Sequence, residues 1–143
     1  MTPDQITTME TTLALLGPAI DEVAADFYGR VLAAAPETAD LFTGDLAAQH
    51  RKFARELDAI VAAIRDHDAF ADRTARLGSR HVRYGVRPAH YDVVGPALLD
   101  ALAAALGSAW TNEAAEAWRL GYRLTAEAMM QAAEAEAPAS AVH

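Results

Sequence analysis

Cysteine is absent from this chain of 143 residues. Its absence excludes a disulfide framework, a cysteine nucleophile, a thiolate-bound zinc ion and a thiolate-ligated iron–sulfur cluster. A cofactor held by histidine is still compatible with the composition, and a chain of this length can bury a complete core as one domain. We expect that domain to cover residues 1–136 and the small, polar residues 137–143 to form a disordered tail.

Basic residues and long apolar runs are also scarce. Twelve Lys and Arg stand against twenty Asp and Glu, for a net charge of −8, whereas nucleic-acid binding rests on neutralising phosphates. The longest apolar run, Ala97 to Trp110, is interrupted by Asp100 and is too short for a membrane span. The N-terminus is polar and acidic where a signal peptide is basic and then apolar. The sequence therefore predicts a cytoplasmic protein that binds neither nucleic acid nor membrane.

The β-branched and aromatic runs that mark strands are missing, and about a quarter of the residues are alanine, the strongest helix former. These features predict an all-α fold. Apolar periodicity, capping residues and Gly or Pro breakers predict a short turn at Leu41-Phe42 and six helices. The first five cover about residues 2–16, 19–35, 45–64, 66–84 and 89–106, and the last begins at the capping Thr111 and fades into residues 133–143.

Two of these helices carry a polar residue on their apolar line. The inward line of the fourth helix includes His81, and it consists of Phe70, Thr74, Leu77, His81 and Tyr84. The third helix places Gln49 on a line with Leu46, Phe53, Leu57, Ile60 and Ile64, and the second helix places Tyr28 beside its apolar face. Alone, His81 is typical of a hydrogen-bonded core histidine, Gln49 of a partly exposed residue, and Tyr28 of a packing residue whose hydroxyl binds a backbone carbonyl. Together they match an iron porphyrin, which needs a neutral imidazole on one face and a sparsely polar pocket on the other.

Four arginines follow one stripe beside the His81 line. They are Arg76, Arg80, Arg83 and Arg87, spaced four, three and four residues apart in a chain that is otherwise acidic. Such a stripe fits two interpretations equally well: ion pairs with the propionates of a porphyrin, or a solvated basic face.

The segment RHVRYGVRPAHYDVVGPALL, residues 80–99, resembles the proximal-histidine segment of bacterial single-domain globins and of the haem domains of flavohaemoglobins. The likeness covers almost the whole chain, including Leu41-Phe42, Ala117-Trp118 and Gly121-Tyr122. It implies a globin fold of about six to seven helices around one haem b, with residues 1–136 as the globin domain. His81 stands at the iron-ligand position of that motif.

The resemblance also implies the residues around the haem. Tyr28 would donate a hydrogen bond to bound oxygen, Gln49 would hold or gate that hydroxyl, and Phe42 would pack on the ring. The full predicted set of cofactor-binding residues is Phe42, Gln49, Phe53, Leu77, Arg80, His81, Val86, Tyr91 and Val94. His50 is the alternative to Gln49, since a shift of one residue would place it over the iron, although the inward line favours Gln49.

One site known from flavohaemoglobins departs from the pattern. There a tyrosine and a final-helix glutamate flank the axial histidine; Tyr91 matches the tyrosine, but Ala133 stands at the glutamate position, with Glu134 one residue on. We expect Tyr91 still to orient His81. A less electron-rich histidine is expected where the carboxylate is missing.

The function that this resemblance implies is reversible binding of O2, NO and CO, as in oxygen transport. An enzymatic alternative is nitric oxide dioxygenase activity; because no glycine-rich flavin or nicotinamide site follows the domain, it would need an external reductase. Further alternatives are a haem-based gas sensor and a globin-like interaction domain without haem. The chain is expected to be a monomer or a homodimer.

Overall fold

The computed structural model describes residues 1–42 and 44–136, which form six α-helices. Their bounds are α1 Pro3–Leu16, α2 Ile20–Ala34, α3 Leu46–Ala63, α4 His67–Arg83, α5 Pro88–Leu106 and α6 Asn112–Glu136. Short 3-10 turns cover Gly17–Ala19, Pro36–Leu41 and Gly107–Ala109. The predicted all-α class and helix number are confirmed. The predicted tail, residues 137–143, lies outside the described residues, so the domain boundary stays a prediction.

Side-chain caps explain why three of the helices begin where they do. Gln5 N–H donates to Thr2 Oγ1 (3.1 Å) while Thr2 N–H donates to Gln5 Oε1 (2.9 Å), a reciprocal capping box at the start of α1. Asp45 and Asp66 accept from backbone N–H groups in the first turns of α3 and α4, at 3.0 and 3.1 Å. These local bonds fix the starts of the two helices that carry Gln49 and His81.

The main core lies where α1, α2, α5 and α6 meet, and Trp118 is its largest fully buried side chain. Burying an indole requires a partner for its N–H. Trp118 Nε1 donates to Thr12 Oγ1 (2.8 Å), and that hydroxyl donates in turn to the Thr8 carbonyl of α1 (2.7 Å). The core therefore joins the first and last helices through a satisfied polar contact as well as through apolar packing.

The α4 and α6 backbones touch at Gly78. A Cβ atom at this position would overlap the Met129 carbonyl oxygen and would lie 2.8 Å from Met129 Cα. Only glycine allows this approach without displacing one of the helices. His81 lies three residues further along α4, so this crossing fixes the position of the histidine relative to α6.

Two residues of the predicted inward lines are exposed. The exposed fraction of Leu46 is 51% and that of Tyr84 is 65%. Both stand at a helix end, Leu46 as the first residue of α3 and Tyr84 directly after α4, where the helix extends beyond the core. Periodicity gives the direction of a side chain but does not show where the neighbouring helix stops.

One segment, α5 with the turn that follows it (Pro88–Ala109), is long and apolar enough to cross a membrane, with a mean hydropathy of 1.3. This segment begins nine residues before Ala97, where the apolar run of the sequence analysis began, and its 22 residues are enough to span a bilayer. A core helix passes the same test, and α5 contributes Leu98 and Leu102 to the core. This single helix is therefore weak evidence for a membrane span.

We expect Gly78→Ala to lower the free energy of unfolding by about 1–3 kcal/mol, because the overlap with Met129 outweighs the gain in helix propensity of about 1 kcal/mol. Gly29→Ala is the matched control, since Gly29 lies on the exposed side of α2 with no heavy atom near its would-be Cβ. It should raise stability by about 0.4–1 kcal/mol. Urea unfolding of the three proteins measures both changes; equal shifts in the two variants would contradict the crossing.

Candidate functional site

The six helices surround a cavity of about 310 Å³. Most of its lining comes from α2 to α6, and Met9 of α1 and the Pro36–Leu41 turn complete it. Most of the lining is apolar. Every residue that the sequence predicted for the site lines this cavity: Tyr28, Phe42, Gln49, Phe53, Leu77, Arg80, His81, Val86, Tyr91 and Val94. The structure thus brings the predicted residues together, whereas their individual roles stay predictions.

The His81 imidazole has its two ring nitrogens in different states. Nδ1 lies 2.8 Å from the Leu77 carbonyl oxygen, one turn back on α4. Because a carbonyl can only accept, Nδ1 carries the proton and Nε2 keeps its lone pair. Burial lowers the pKa of His81, and the positive charge of Arg80 lowers it further, against the Leu77 bond and Glu56, which raise it. His81 is therefore a neutral imidazole, the form that binds metals.

A second histidine of the lining, His90, is held in the opposite tautomer. Its Nδ1 accepts a hydrogen bond from the backbone N–H of Arg87 (2.8 Å) at the start of α5. An accepting Nδ1 leaves the proton on Nε2, which then has no lone pair to give. Between these two histidines, His81 is the one with a free lone pair on Nε2. The described residues contain no group of three or more His, Cys, Asp or Glu side chains that could hold a metal ion together.

Tyr28 faces the cavity from α2 within an aromatic cluster. Its ring meets Phe42 edge-on (4.9 Å between centroids), stacks near His50 (5.2 Å) and contacts Phe27 (5.1 Å). Within residues 1–42 and 44–136 its hydroxyl has no hydrogen-bond partner. Burial raises the pKa of Tyr28 to about 12, so the hydroxyl remains a donor at neutral pH.

Gln49 and His50, the two alternatives for the position above the iron, take different places. Gln49 lines the cavity, and His50 packs on the Tyr28 ring without lining it. The side chain of Gln49 forms no hydrogen bond with Tyr28. The arrangement places Gln49 where the sequence analysis favoured it, with His50 as a support for the Tyr28 ring.

The sequence profile of the family described as Globin matches residues 25–129, most of the chain. The chain belongs to the globin family. It is similar to the flavohemoprotein of Deinococcus radiodurans (33% identity, 91% of this chain and 33% of the relative) and to that of Vibrio cholerae (28% identity, 89% and 33%). The chain thus spans about a third of the length of these relatives.

The fold is also similar to a crystal structure of a hexacoordinated heme protein from an anhydrobiotic tardigrade, with a TM-score of 0.85 at 14% identity over 94% of this chain and 96% of that one. This likeness shows the globin fold, as predicted. The family, together with the neutral His81 in an apolar cavity, supports a haem cofactor.

The Nδ1–H of His81 donates to the Leu77 carbonyl, and the Tyr91 hydroxyl forms no hydrogen bond in the described part of the chain. The expectation that Tyr91 orients His81 therefore stays a prediction. Tyr91 is held by its backbone, since its carbonyl accepts from Tyr122 Oη at 2.6 Å. Glu134 is exposed and has no ion pair there. The hydrogen-bond partner of the imidazole is thus a carbonyl four residues back on its own helix.

The open edge of the cavity is formed by exposed residues on α3 and at the end of α4, namely Lys52, Arg80 and Tyr84. We call this edge the mouth. Arg80 alone of the predicted arginine stripe lines the cavity. Arg76 pairs with Asp72 (3.2 Å) and Arg83 Nε donates to the Ser79 carbonyl (3.4 Å), both on the exposed face of α4. The solvated-face interpretation thus fits these two, while Arg80 stays available as a cofactor contact.

Two cavity residues missed by the sequence analysis are Lys52 and Glu56 of α3. They stand three and seven residues after Gln49, which is a helical spacing. That spacing was a signal, but charged residues on a surface helix are ordinarily assigned to solvent. The structure places them at the cavity, Lys52 exposed and Glu56 half-buried.

The raised pKa of Tyr28 predicts a pH dependence of folding. Above pH 10 the phenol ionises in the unfolded chain but stays protonated in the folded protein up to about 12. The unfolded state therefore loses the proton first, and stability falls as the pH rises through this window. In Tyr28→Phe the fall should be shallower, as measured by urea unfolding between pH 9 and 12. Equal slopes in both proteins would contradict the burial of the hydroxyl.

Proposed function

We propose that this globin holds one haem b through His81 and reversibly binds oxygen and other diatomic gases, NO and CO, on the opposite side of the cavity. The observation that carries the proposal is the tautomer of His81: its Nδ1 is committed to the Leu77 carbonyl at 2.8 Å, which leaves the Nε2 lone pair for a metal. His90, the other histidine of the lining, is excluded as a ligand by its own hydrogen bond from Arg87.

The rest of the lining fits a large planar cofactor with charged edges. Phe42, Phe53, Leu77, Val86, Tyr91 and Val94 offer apolar contact surface. Arg80 and Lys52 stand at the mouth, where they are able to pair with the carboxylates of haem b. When bound, haem would supply an iron atom that binds diatomic gases, and His81 would hold that iron.

Tyr28 is the residue that would distinguish oxygen from less polar gases. Its hydroxyl is protonated, faces the cavity and lacks a partner in the described residues. A donor that faces the cavity without a partner gains a hydrogen bond when a ligand with partial negative charge arrives. Gln49 also lines the cavity, and its amide group would hold that hydroxyl or the ligand once a ligand is bound.

A second candidate function is nitric oxide dioxygenase activity, in which NO and oxygen give nitrate. The free Tyr28 donor favours it, because the same hydrogen bond retains oxygen until NO arrives. The relatives named flavohemoprotein match this chain over about a third of their own length. Such an activity needs a reductase to return the iron to its ferrous state, and we propose an external one.

We expect His81→Ala to lose haem retention and its Soret band, while His90→Ala keeps a normal spectrum, because His81 is the one of these two lining histidines with a free Nε2 lone pair. Absorption spectra of the ferric, ferrous and CO-bound proteins, with haem content per chain, measure both outcomes. Added imidazole should restore a histidine-like spectrum to His81→Ala. A wild-type protein that takes up no haem would favour the interaction-domain alternative.

We expect Tyr28→Phe to release oxygen about 5- to 150-fold faster, the equivalent of a lost hydrogen bond of about 1–3 kcal/mol. Laser photolysis or stopped-flow displacement by CO measures the rate. His50→Ala is the control and should change it far less, because His50 does not line the cavity. A large change in the control alone would transfer the donor role to His50.

The same two proteins separate the two candidate functions. Stopped-flow mixing of the oxygenated wild type with NO should yield nitrate if the dioxygenase proposal is right, and Tyr28→Phe should yield less because it has lost oxygen before NO arrives. Oxygen binding without any nitrate would leave gas binding as the function.

A further inference from the structure

One half-buried carboxylate at the mouth of the cavity binds two arginines of the neighbouring helix. Glu56 of α3 accepts from Arg73 Nη1 at 2.7 Å and from Arg80 Nη2 at 3.2 Å, both on α4. The exposed fraction of its side chain is 20%, against 44% and 46% for the two arginines. This is the least exposed carboxylate among the ion pairs of residues 1–42 and 44–136.

Glu56 stands at the cavity and not on the outer face of α3. It lines the same cavity as Arg80, the residue directly before His81, and as Lys52, one turn earlier on its own helix. Arg76 pairs with Asp72 on the exposed face of α4. The charged side chains that line the cavity are therefore Lys52 and Arg80, which are positive, and Glu56, which is negative, while Arg73 binds Glu56 from outside the lining.

An anion that enters the cavity at its mouth meets the Arg80 guanidinium, whose positive charge is already partly neutralised by Glu56. Arg80 has five N–H donors and is able to bind two carboxylates at once, but the two carboxylates then repel each other across it. Because Glu56 is four-fifths buried, solvent screens that repulsion less than between exposed groups. Glu56 therefore reduces the attraction of Arg80 for a second carboxylate, whatever the detailed geometry of that carboxylate.

We propose that Glu56 is a built-in counter-anion at the cavity mouth, which competes with the carboxylates of an anionic cofactor for Arg80 and so limits how long the cofactor is held. The proposal rests on haem as the occupant of the cavity. In this proposal Glu56 does more than connect α3 to α4, because it also sets how long the cofactor is retained.

The experiment compares the loss of two cofactors from the holoprotein. Haem carries two carboxylates, and haem dimethyl ester is the same ring with both charges removed. The rate of transfer to an excess of apomyoglobin is measured for the wild type, Glu56→Gln and Glu10→Gln. Glu10 is the matched control, because it pairs with Arg65 at 2.8 Å and does not line the cavity.

We expect Glu56→Gln to slow haem loss by about 2- to 10-fold, the range for removing one partly screened charge. Loss of the dimethyl ester should stay unchanged, because it has no carboxylate for Arg80. Glu10→Gln should leave both rates at the wild-type value. Glutamine keeps an acceptor oxygen for Arg73, and both arginines are nearly half exposed, so the variant should fold.

A double-mutant cycle with Arg80→Gln tests whether Glu56 acts on haem loss through Arg80. In that background Glu56→Gln should slow haem loss clearly less than it does in the wild type, since the competition takes place at Arg80. The same comparison excludes a general effect of net charge on haem loss, because such an effect would slow haem loss equally in the Arg80→Gln background.

Other outcomes would overturn the proposal in identifiable ways. Faster loss of haem alone from Glu56→Gln would make Glu56 a positioning residue that holds Arg80 toward the cofactor. Faster loss of both cofactors would make it an interhelix brace, and unchanged rates would remove any role in retention. A wild type that binds neither cofactor would instead refute the proposed haem site itself.

Discussion

The contact between the backbones of α4 and α6 at Gly78 is the constraint on which the site depends. No side chain separates the two helices there, and the Met129 carbonyl occupies the space that a Cβ would need. Leu77 and His81, on either side of Gly78 in the sequence, both line the cavity. The close approach at Gly78 therefore sets how near to α6 this turn of α4 lies.

Given that position, the helix itself prepares His81 for its role. The Leu77 carbonyl fixes the proton on Nδ1, and the apolar surroundings keep the ring neutral by lowering its pKa. The hydrogen bond is local to α4, whereas the burial is provided by the helices around the cavity. This explains how the site is compatible with an exposed Glu134 and with a Tyr91 hydroxyl that makes no bond to the imidazole.

The sequence predicted the features that depend on one helix at a time. Helix starts agreed to within one or two residues, because caps such as Thr2, Asp45 and Asp66 act locally. The last helix continues to Glu136, beyond the point where the sequence predicted it to fade. Contacts between helices were harder: the Glu56 pairs with Arg73 and Arg80 span 17 and 24 residues, and no periodicity reports them. The exposure of Leu46 and Tyr84 was missed for a related reason, since it depends on where a neighbouring helix ends.

Arg80 and His81 are consecutive in the chain, yet one is exposed at the mouth and the other is half-buried inside. For a cofactor held as proposed here, Arg80 and His81 are two attachment points on one rigid helix. When one attachment opens, the other keeps the cofactor within reach, and closing again is an intramolecular event with a high effective concentration. Release therefore requires both attachments to be open at the same moment. The fraction of time in which the cofactor is free to leave is then the product of the two open fractions, which is smaller than either one alone.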